Sequence, residues 1–275
     1  MAHADAAERA LREGDPGAAL TELQNQVRAK PGDAKLRVFL FQLLAVLGQW
    51  ERALNQLTVA SNLDASALAM AQMYGEAVRC EAMRASVFAG KKSPLIFGEP
   101  EEWLALMIEA LLVAGAGSPE KSFDLRARAL EQAETNTGTI DDKPFEWIAD
   151  ADSRLGPILE AVINGRYYWV PFSRLMEITI EEPSDLRDCV WMPVHLMFSN
   201  GGDSVALIPT RYPGSESSSD GLISLARKTE WREAGPDTWF GLGQRLFATD
   251  AGETPLMDAR KIIISATAAE SGGNG

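Results

Sequence analysis

Apolar residues recur at helical spacing throughout the first 90 residues of the chain. Leucine and valine side chains three or four positions apart form a stripe in each segment, and turn-forming residues interrupt the stripes at positions 14–16, 31–33 and 48–49. Such spacing predicts amphipathic helices, and glycine, proline and aspartate between them predict turns. The sequence therefore predicts a series of helices joined by short connections.

The turn glycines Gly14 and Gly48 lie 34 positions apart, which is the period of tetratricopeptide repeats. Each such repeat is a helix pair in which a small residue lets the helices pack closely. The match is partial, because Arg37 stands where the repeat usually has tryptophan and Phe41 stands where it usually has a small residue. We expect tetratricopeptide-like hairpins, with a third unit at 65–88 that lacks the turn glycine and caps the array. The same offset aligns Ala19 with Ala53, Leu20 with Leu54, and Leu23 with Leu57.

Another helical hairpin is predicted after a stretch rich in glycine and proline, with its arms at 101–113 and 119–134. From position 135 the pattern changes to short runs of β-branched and aromatic residues separated by Gly, Asn, Pro and Ser, which is typical of strands. Asn200-Gly-Gly-Asp between two of these runs is a strong hairpin signal. The predicted strands are 167–170, 177–180, 190–199, 204–209 and 260–264.

These patterns predict an α+β protein in which tetratricopeptide-like α-helical hairpins precede a β-rich, mostly antiparallel C-terminal domain. We place the helical domain at 1–135 and the β-rich domain at 136–270, since a chain of 275 residues favours two domains. The polar segment 213–220 is predicted to be an exposed loop. The tail at 271–275, Ser-Gly-Gly-Asn-Gly, is predicted to be disordered.

The charge of the chain bears on which partners it can have. The formal net charge is -13, and both predicted domains are acidic, which disfavours nucleic acid and anionic membrane as partners. No apolar run approaches the roughly 18 residues of a membrane span, and the N-terminus lacks the pattern of a signal peptide. Only two cysteines are present, far apart in the sequence, as expected in a reducing compartment. We therefore expect a cytoplasmic protein.

Few residues favour metal binding or catalysis. His3 and His195 are the only histidines, and we expect His195 to pack or hydrogen-bond within a strand. Gly241-Leu-Gly lacks the third glycine of a dinucleotide-binding loop and is expected to mark a strand bend. Asp150-Ala-Asp-Ser-Arg begins like a calcium loop, but Arg154 stands where an oxygen ligand belongs, so we expect these carboxylates to cap a following helix. No catalytic residue, cofactor or metal is predicted.

A different class of function remains as an alternative. A hydrolase or transferase could use carboxylates of the C-terminal domain, and the candidates are Asp150, Asp152, Glu181 and Glu182. A metal or a substrate-like group at these carboxylates would favour this alternative, whereas scattered, solvated carboxylates would disfavour it.

Binding of another protein is the activity that helical repeats favour. Stacked helix pairs leave a concave groove in which a partner helix or an extended peptide can lie. The repeat register directs Val38, Gln42, Gln72, Glu76 and Arg79 into this groove, and we predict that they contact a partner. The alternative is that the short array docks on the C-terminal domain of its own chain, which would bury some of these residues.

Two neighbouring segments carry a family resemblance. Trp-Ile-Ala-Asp-Ala-Asp-Ser-Arg-Leu-Gly-Pro-Ile-Leu-Glu at 147–160 and Asn-Gly-Arg-Tyr-Tyr-Trp-Val-Pro-Phe at 164–172 resemble the central signature of the ImpE family, also called TagJ or SciE-type proteins. The resemblance extends to 37–44, 48–54 and 191–193, and so covers nearly the whole chain. It implies a cytoplasmic accessory protein of a bacterial type VI secretion system. The expected partner is the small subunit of the contractile sheath, bound through that subunit's N-terminal helix, with an indirect link to the ATPase that recycles the sheath.

Alternation along the second of these segments separates two faces of a strand. Tyr167 and Trp169 point to one face, and Arg166 and Tyr168 point to the other. Exposed tyrosine and arginine are common interface anchors, so we add Arg166 and Tyr168 to the predicted partner-binding residues. Packing of both faces between domains would explain the pattern equally well.

Overall fold

The structure is a computed structural model and describes residues 4–265. Helices fill the first half of this range, and the predicted hairpins are confirmed, including the uninterrupted capping helix α5. His3 and the predicted disordered tail at 271–275 lie outside the described residues. The helices are α1 (Ala4–Arg12), α2 (Pro16–Ala29), α3 (Ala34–Val46), α4 (Trp50–Leu63), α5 (Leu68–Phe88), α6 (Glu102–Gly115), α7 (Pro119–Gln132) and α8 (Gly221–Ser224).

The repeat positions explain how the first helices form and pack. Asp33 caps α3, because its carboxylate accepts hydrogen bonds from the backbone N–H groups of Lys35 and Leu36 at 3.0 and 3.2 Å. Ala19 and Ala53, one repeat apart, are both completely buried. Small side chains at these two positions let neighbouring helices approach closely, as the repeat register predicts.

Strands dominate the second half, and all five predicted strands are present. The helical half is not purely helical, however, because β1 lies between α5 and α6. The strands are β1 (Leu95–Ile96), β2 (Gly138–Ile140), β3 (Lys143–Phe145), β4 (Ile148–Asp150), β5 (Ile158–Ile163), β6 (Arg166–Pro171), β7 (Leu175–Ile180), β8 (Trp191–Phe198), β9 (Asp203–Pro209), β10 (Thr229–Gly235), β11 (Thr238–Gly243), β12 (Leu246–Thr249), β13 (Gly252–Pro255) and β14 (Lys261–Ile264).

The strands form one large sheet and two small ones. The nine-stranded sheet has the order β1-β6-β5-β9-β8-β7-β14-β2-β3, while β10 pairs with β11 and β12 lies between β13 and β4. The pairing of β1 with β6 is parallel, and the other pairings between these strands are antiparallel. The α+β class with a mostly antiparallel C-terminal region is therefore confirmed. The division into domains at position 135 stays a prediction.

The large sheet separates two hydrophobic cores. Tyr167 and Trp169 on β6 belong to the core that the sheet shares with the helices, whereas Val170 belongs to the core on the opposite face. In that second core Phe172 packs edge-on against Phe247 of β12, with the ring centres 6.1 Å apart. Both faces of the signature strand β6 are thus packed against other parts of the chain. Among the described residues, no helix is both long and apolar enough to cross a bilayer.

Two local predictions were wrong. The segment after Asp150 contains no helix, because a turn leads directly into β5, whose six residues are all buried. The loop at 213–220 is not wholly exposed, because Ser215 is buried and its hydroxyl donates to the carbonyl of Tyr212 at 2.6 Å. The same oxygen accepts from the N–H of Gly243 at 2.8 Å, which ties the loop to the end of β11.

Candidate functional site

The first helix of each repeat faces the β-rich region. Helix α3 packs against the 3-10 helix at Leu186–Cys189, and α5 packs against β6. We call residues 184–189, between β7 and β8, the insert segment. Its Asp185 accepts a hydrogen bond from the amide of Gln42 at 3.4 Å, and the guanidinium of Arg187 lies 4.7 Å from the ring centre of Tyr74. The insert segment therefore occupies the middle of the predicted concave groove.

Two open recesses on this side of the helices contain predicted partner-binding residues. Recess one has a volume of about 510 Å³ and lies between α1, α3 and the insert segment. Recess two has a volume of about 290 Å³ and lies between α5, β9 and the turn from β5 to β6. Residues lining recess one include Leu11, Lys35, Val38, Phe39, Gln42 and Leu186, and those lining recess two include Gln72, Met73, Glu76, Gly165, Val205 and Leu207.

Four of the predicted partner-binding residues line these recesses in pairs. Val38 and Gln42 lie in recess one, and Gln72 and Glu76, each 34 positions further along the chain, lie in recess two. Gln42 is buried by the insert segment, whereas Val38 and Glu76 are partly exposed and Gln72 is exposed. The repeat register thus places equivalent side chains in equivalent positions, although docking on the C-terminal region covers part of the groove.

The other three predicted residues line neither recess. Arg79 is exposed on α5, and Arg166 is exposed at the start of β6. Tyr168 is half-buried on the opposite side of the sheet from the helices, where its ring centre lies 6.1 Å from that of Phe97.

The lining of recess two is more apolar than that of recess one. Met73, Val205 and Leu207 contribute apolar side chains to it, and Val205 is 60% exposed. Gly165 is required at its edge, because its φ is +72° and a Cβ atom there would lie 2.8 Å from the carboxylate group of Glu76. The recess therefore combines an open apolar surface with a polar rim on α5.

A buried ion network holds α5 on the sheet beside this recess. Glu160, in the centre of β5, accepts from Nε and Nη2 of Arg84 at 2.7 and 3.1 Å and also pairs with Arg245. The hydroxyl of Tyr167 donates to Glu160 at 2.6 Å and accepts from Nε1 of Trp169 at 2.8 Å. All five side chains are buried. The signature aromatic residues thus serve to complete the hydrogen bonds of a buried carboxylate.

The network extends to other elements through three more arginine contacts. Arg245 also pairs with Asp150 and donates from Nε to the carbonyl of Pro209 at 2.8 Å. Arg211 donates to the carbonyl of Val46 at the end of α3 at 2.7 Å. These bonds connect α3, α5, β4, β5 and β9, and so fix the position of the helical array on the sheet.

Burial and neighbouring charges together shift the pKa values of two carboxyl groups of the network in opposite directions. Burial alone would raise the pKa of Glu160, but the charges of Arg84 and Arg245 outweigh burial and lower it to about 2. Burial raises the pKa of Glu81, which accepts from Nε1 of Trp191 at 2.8 Å, because the opposing influence of Arg84 is weaker there. Glu160 is therefore the carboxylate held firmly in its charged form.

The carboxylates of the enzyme alternative do not form a common site. Asp150 is paired with Arg245, and Asp152 accepts from Nε of Arg154 and from the N–H of Gly241 at 2.8 Å each. Glu181 and Glu182 are exposed on the segment that follows β7. Over residues 4–265 no group of three or more His, Cys, Asp or Glu side chains is arranged to hold a metal ion. The buried members act as structural partners of arginines.

Sequence reasoning missed the ion network, although a signal was present. Glu160 is the one charged residue in the apolar run Ile-Leu-Glu-Ala-Val-Ile of β5, and a carboxylate inside a buried strand requires a cationic partner. Arg84 similarly lies on the buried side of α5. The pattern could have predicted that partners exist, but not that Arg84 and Arg245 are the partners.

Three comparisons relate the chain to known proteins. A family model described as ImpE protein matches residues 142–263. The type VI secretion system accessory component TagJ of Pseudomonas aeruginosa is 51% identical over 261 residues, which covers 95% of this chain and 92% of that protein. The crystal structure of a protein from Vibrio parahaemolyticus matches with a TM-score of 0.86 and 26% identity, covering 96% of this chain and 98% of the other. The family model lies within the β-rich region, whereas the other two similarities include both the helical and the β-rich regions.

Proposed function

Because the chain belongs to the ImpE family, we propose that it is a cytoplasmic, non-enzymatic accessory factor of a type VI secretion system that binds the small subunit of the contractile sheath. The bound segment is the N-terminal helix of that subunit, and binding modulates assembly or recycling of the sheath. Any link to the ATPase that recycles the sheath is indirect.

Recess two is the observation that carries this proposal. It offers a guest helix apolar surface at Met73 and Val205, above the buried Leu207, with Gln72 and Glu76 along one side. Apolar grooves with a polar rim accept the apolar face of an amphipathic helix, whose anchors repeat every three or four residues. Leu68, one turn before Gln72 on α5, is 57% exposed and enlarges the apolar area that a helix of several turns could cover.

The positions of the four candidate carboxylates in the C-terminal region support a binding role. Asp150 and Asp152 are held by arginines in the interior, where a substrate could reach them only after the network had opened. Glu181 and Glu182 lie on the surface away from these pairs. The arrangement therefore supports a protein that positions another protein rather than one that carries out a reaction.

The test is a binding titration between this protein and the purified small sheath subunit. Val205→Glu places a carboxylate in the apolar mouth of recess two, and we expect the affinity to fall by about tenfold or more, in the range for loss of a central interface contact. Deletion of the sheath subunit's N-terminal helix should abolish binding.

Met176→Glu is the matched control, because Met176 is also an exposed apolar residue on a strand, 44% exposed, but does not line either recess. It should leave the affinity unchanged. If deletion of the helix has no effect, binding through that helix is wrong. If Val38→Glu weakens binding while Val205→Glu does not, the guest lies in recess one instead.

A further inference from the structure

A crevice lies between α7 and the turn that joins β10 to β11, and it includes none of the residues that line the two recesses. Its volume is about 640 Å³. Phe123, Ala127 and Leu130 form the wall on α7, and Pro236 forms part of the wall on the turn. Leu130 is 42% exposed, so the crevice presents apolar surface to the outside. An apolar side chain of a partner could enter it.

The two walls of the crevice are packed closely at one end. A Cβ atom at Gly235 would lie 2.4 Å from the ring of Phe123, so glycine at this position lets the turn approach α7. Asp237 in the same turn has a φ of +47°, which bends the chain back into β11. This contact fixes the turn against the helix, and the shape of the crevice is set before a partner arrives.

Carboxylates surround the opening of the crevice. Glu120 and Asp124 on α7 and Asp237 on the turn all line it, and all three are exposed. Within residues 4–265 they take part in no ion pair shorter than 4.0 Å. Three carboxylates around an apolar crevice favour a partner segment that carries lysine or arginine beside its apolar anchor.

Arg126 gives the crevice a second, independent feature. Its side chain lines the crevice and is 3% exposed, and its Nη2 donates to the hydroxyl of Ser122 at 3.3 Å. In the part of the chain that the structure describes, its Nε and Nη1 have no hydrogen-bond partner. The guanidinium lies 5.7 Å from the ring centre of Phe240, which supplies no oxygen acceptor. The charge of Arg126 therefore lies buried at the wall of the crevice, and the charge that a partner meets at the opening is that of the exposed carboxylates.

We propose that this crevice is a docking site for a peptide segment of a second protein, which inserts an apolar side chain between α7 and the turn and contacts the rim with flanking Lys or Arg residues. The site is separate from both recesses, so the protein can hold two partners at once.

The probe is a fluorescein-labelled peptide of sequence Lys-Lys-Leu-Phe-Lys-Lys. Its binding to the full-length protein is measured by fluorescence anisotropy. An acidic twin, in which glutamate replaces every lysine, measures non-specific binding. The lysine peptide should bind and the acidic twin should not, and binding should weaken when NaCl is raised from about 50 to about 500 mM, because salt screens exposed charges. Equal binding of the two peptides would overturn the proposal.

Two kinds of variant locate the binding. Ala127→Trp fills the crevice without changing charge, and it should weaken binding of the lysine peptide by about tenfold, as loss of an anchor pocket does. The pair Glu120→Lys and Asp124→Lys should also weaken it, whereas Glu51→Lys, which changes an exposed carboxylate on α4, should not. Leu130→Gln replaces Ala127→Trp if that variant does not fold. Binding that is unaffected by both crevice variants would contradict the docking site.

Discussion

The helical array packs against itself and against the sheet in two different ways. Inside the array, completely buried alanine and leucine side chains such as Ala53 and Leu23 make the contacts. Between the array and the sheet, Arg84 of α5 bonds to Glu160 of β5, and Arg245 bonds to the same carboxylate. One interface is apolar, and the other adds a set of buried charges to its apolar core.

The stability of the two interfaces should respond differently to substitutions. Apolar packing loses stability in proportion to the volume that is removed or added, because each methylene group contributes separately. A buried ion network responds as a unit, because removing one member leaves the others charged, buried and uncompensated. We therefore expect the larger effects at the interface between array and sheet.

Glu160→Gln should have the largest effect on stability. It leaves the guanidinium groups of Arg84 and Arg245 without their common carboxylate, and loss of one partner from a buried ion pair costs about 3–5 kcal/mol. Urea unfolding measured by circular dichroism gives the change in the free energy of unfolding. Glu177→Gln is the control, since Glu177 pairs with Lys261 on the surface at 3.0 Å, and loss of such a pair costs about 0–1 kcal/mol. Equal effects of the two substitutions would refute the distinction between the interfaces.

The pH dependence of stability tests the same network without a substitution. The pKa of Glu160 is about 2 in the folded protein, below its ordinary value of about 4.3 in an unfolded chain. The stabilisation is therefore fully present above the unfolded pKa and is lost as pH falls towards 2, by roughly 3 kcal/mol. Urea midpoints of the unsubstituted protein and of Glu160→Gln should converge between pH 5 and pH 3. A constant difference over that range would contradict the assigned charge state.

The two interfaces also differ in how far the sequence reveals them. The repeat offset of 34 positions predicted the buried alanines and the turns of the array, because those contacts join residues close in sequence. The hydrogen bond from Gln42 to Asp185 joins residues 143 positions apart, and no local pattern connects the two. The register could place Gln42 in a groove, but it could not predict that the insert segment would cover it.

Prediction from the sequence also missed strand β5, in the region of the family signature. All six residues of β5 are buried, so the strand lacks the alternation of apolar and polar residues that reveals a half-exposed strand. The sequence therefore predicts no strand at 158–163, and a helix was expected after Asp150. The neighbouring β6 was predicted correctly, because aromatic and β-branched residues are enriched in strands. Burial on both faces removed the pattern that would have predicted β5, whereas the residue composition of β6 was sufficient to predict that strand.

Ala53→Leu should have a smaller effect, because it disturbs only the apolar contacts inside the array. Ala53 is completely buried where α3 and α4 pack together, and extra methylene groups in a closely packed interior cost about 1–3 kcal/mol. Asn55→Leu, at an exposed position of the same helix, should change the free energy of unfolding by less than about 0.5 kcal/mol. If Ala53→Leu destabilises the protein as much as Glu160→Gln does, close packing at the repeat alanines contributes as much to stability as the ion network. The packing inside the array and the docking of the array on the sheet would then be coupled, because a change inside one would weaken the other.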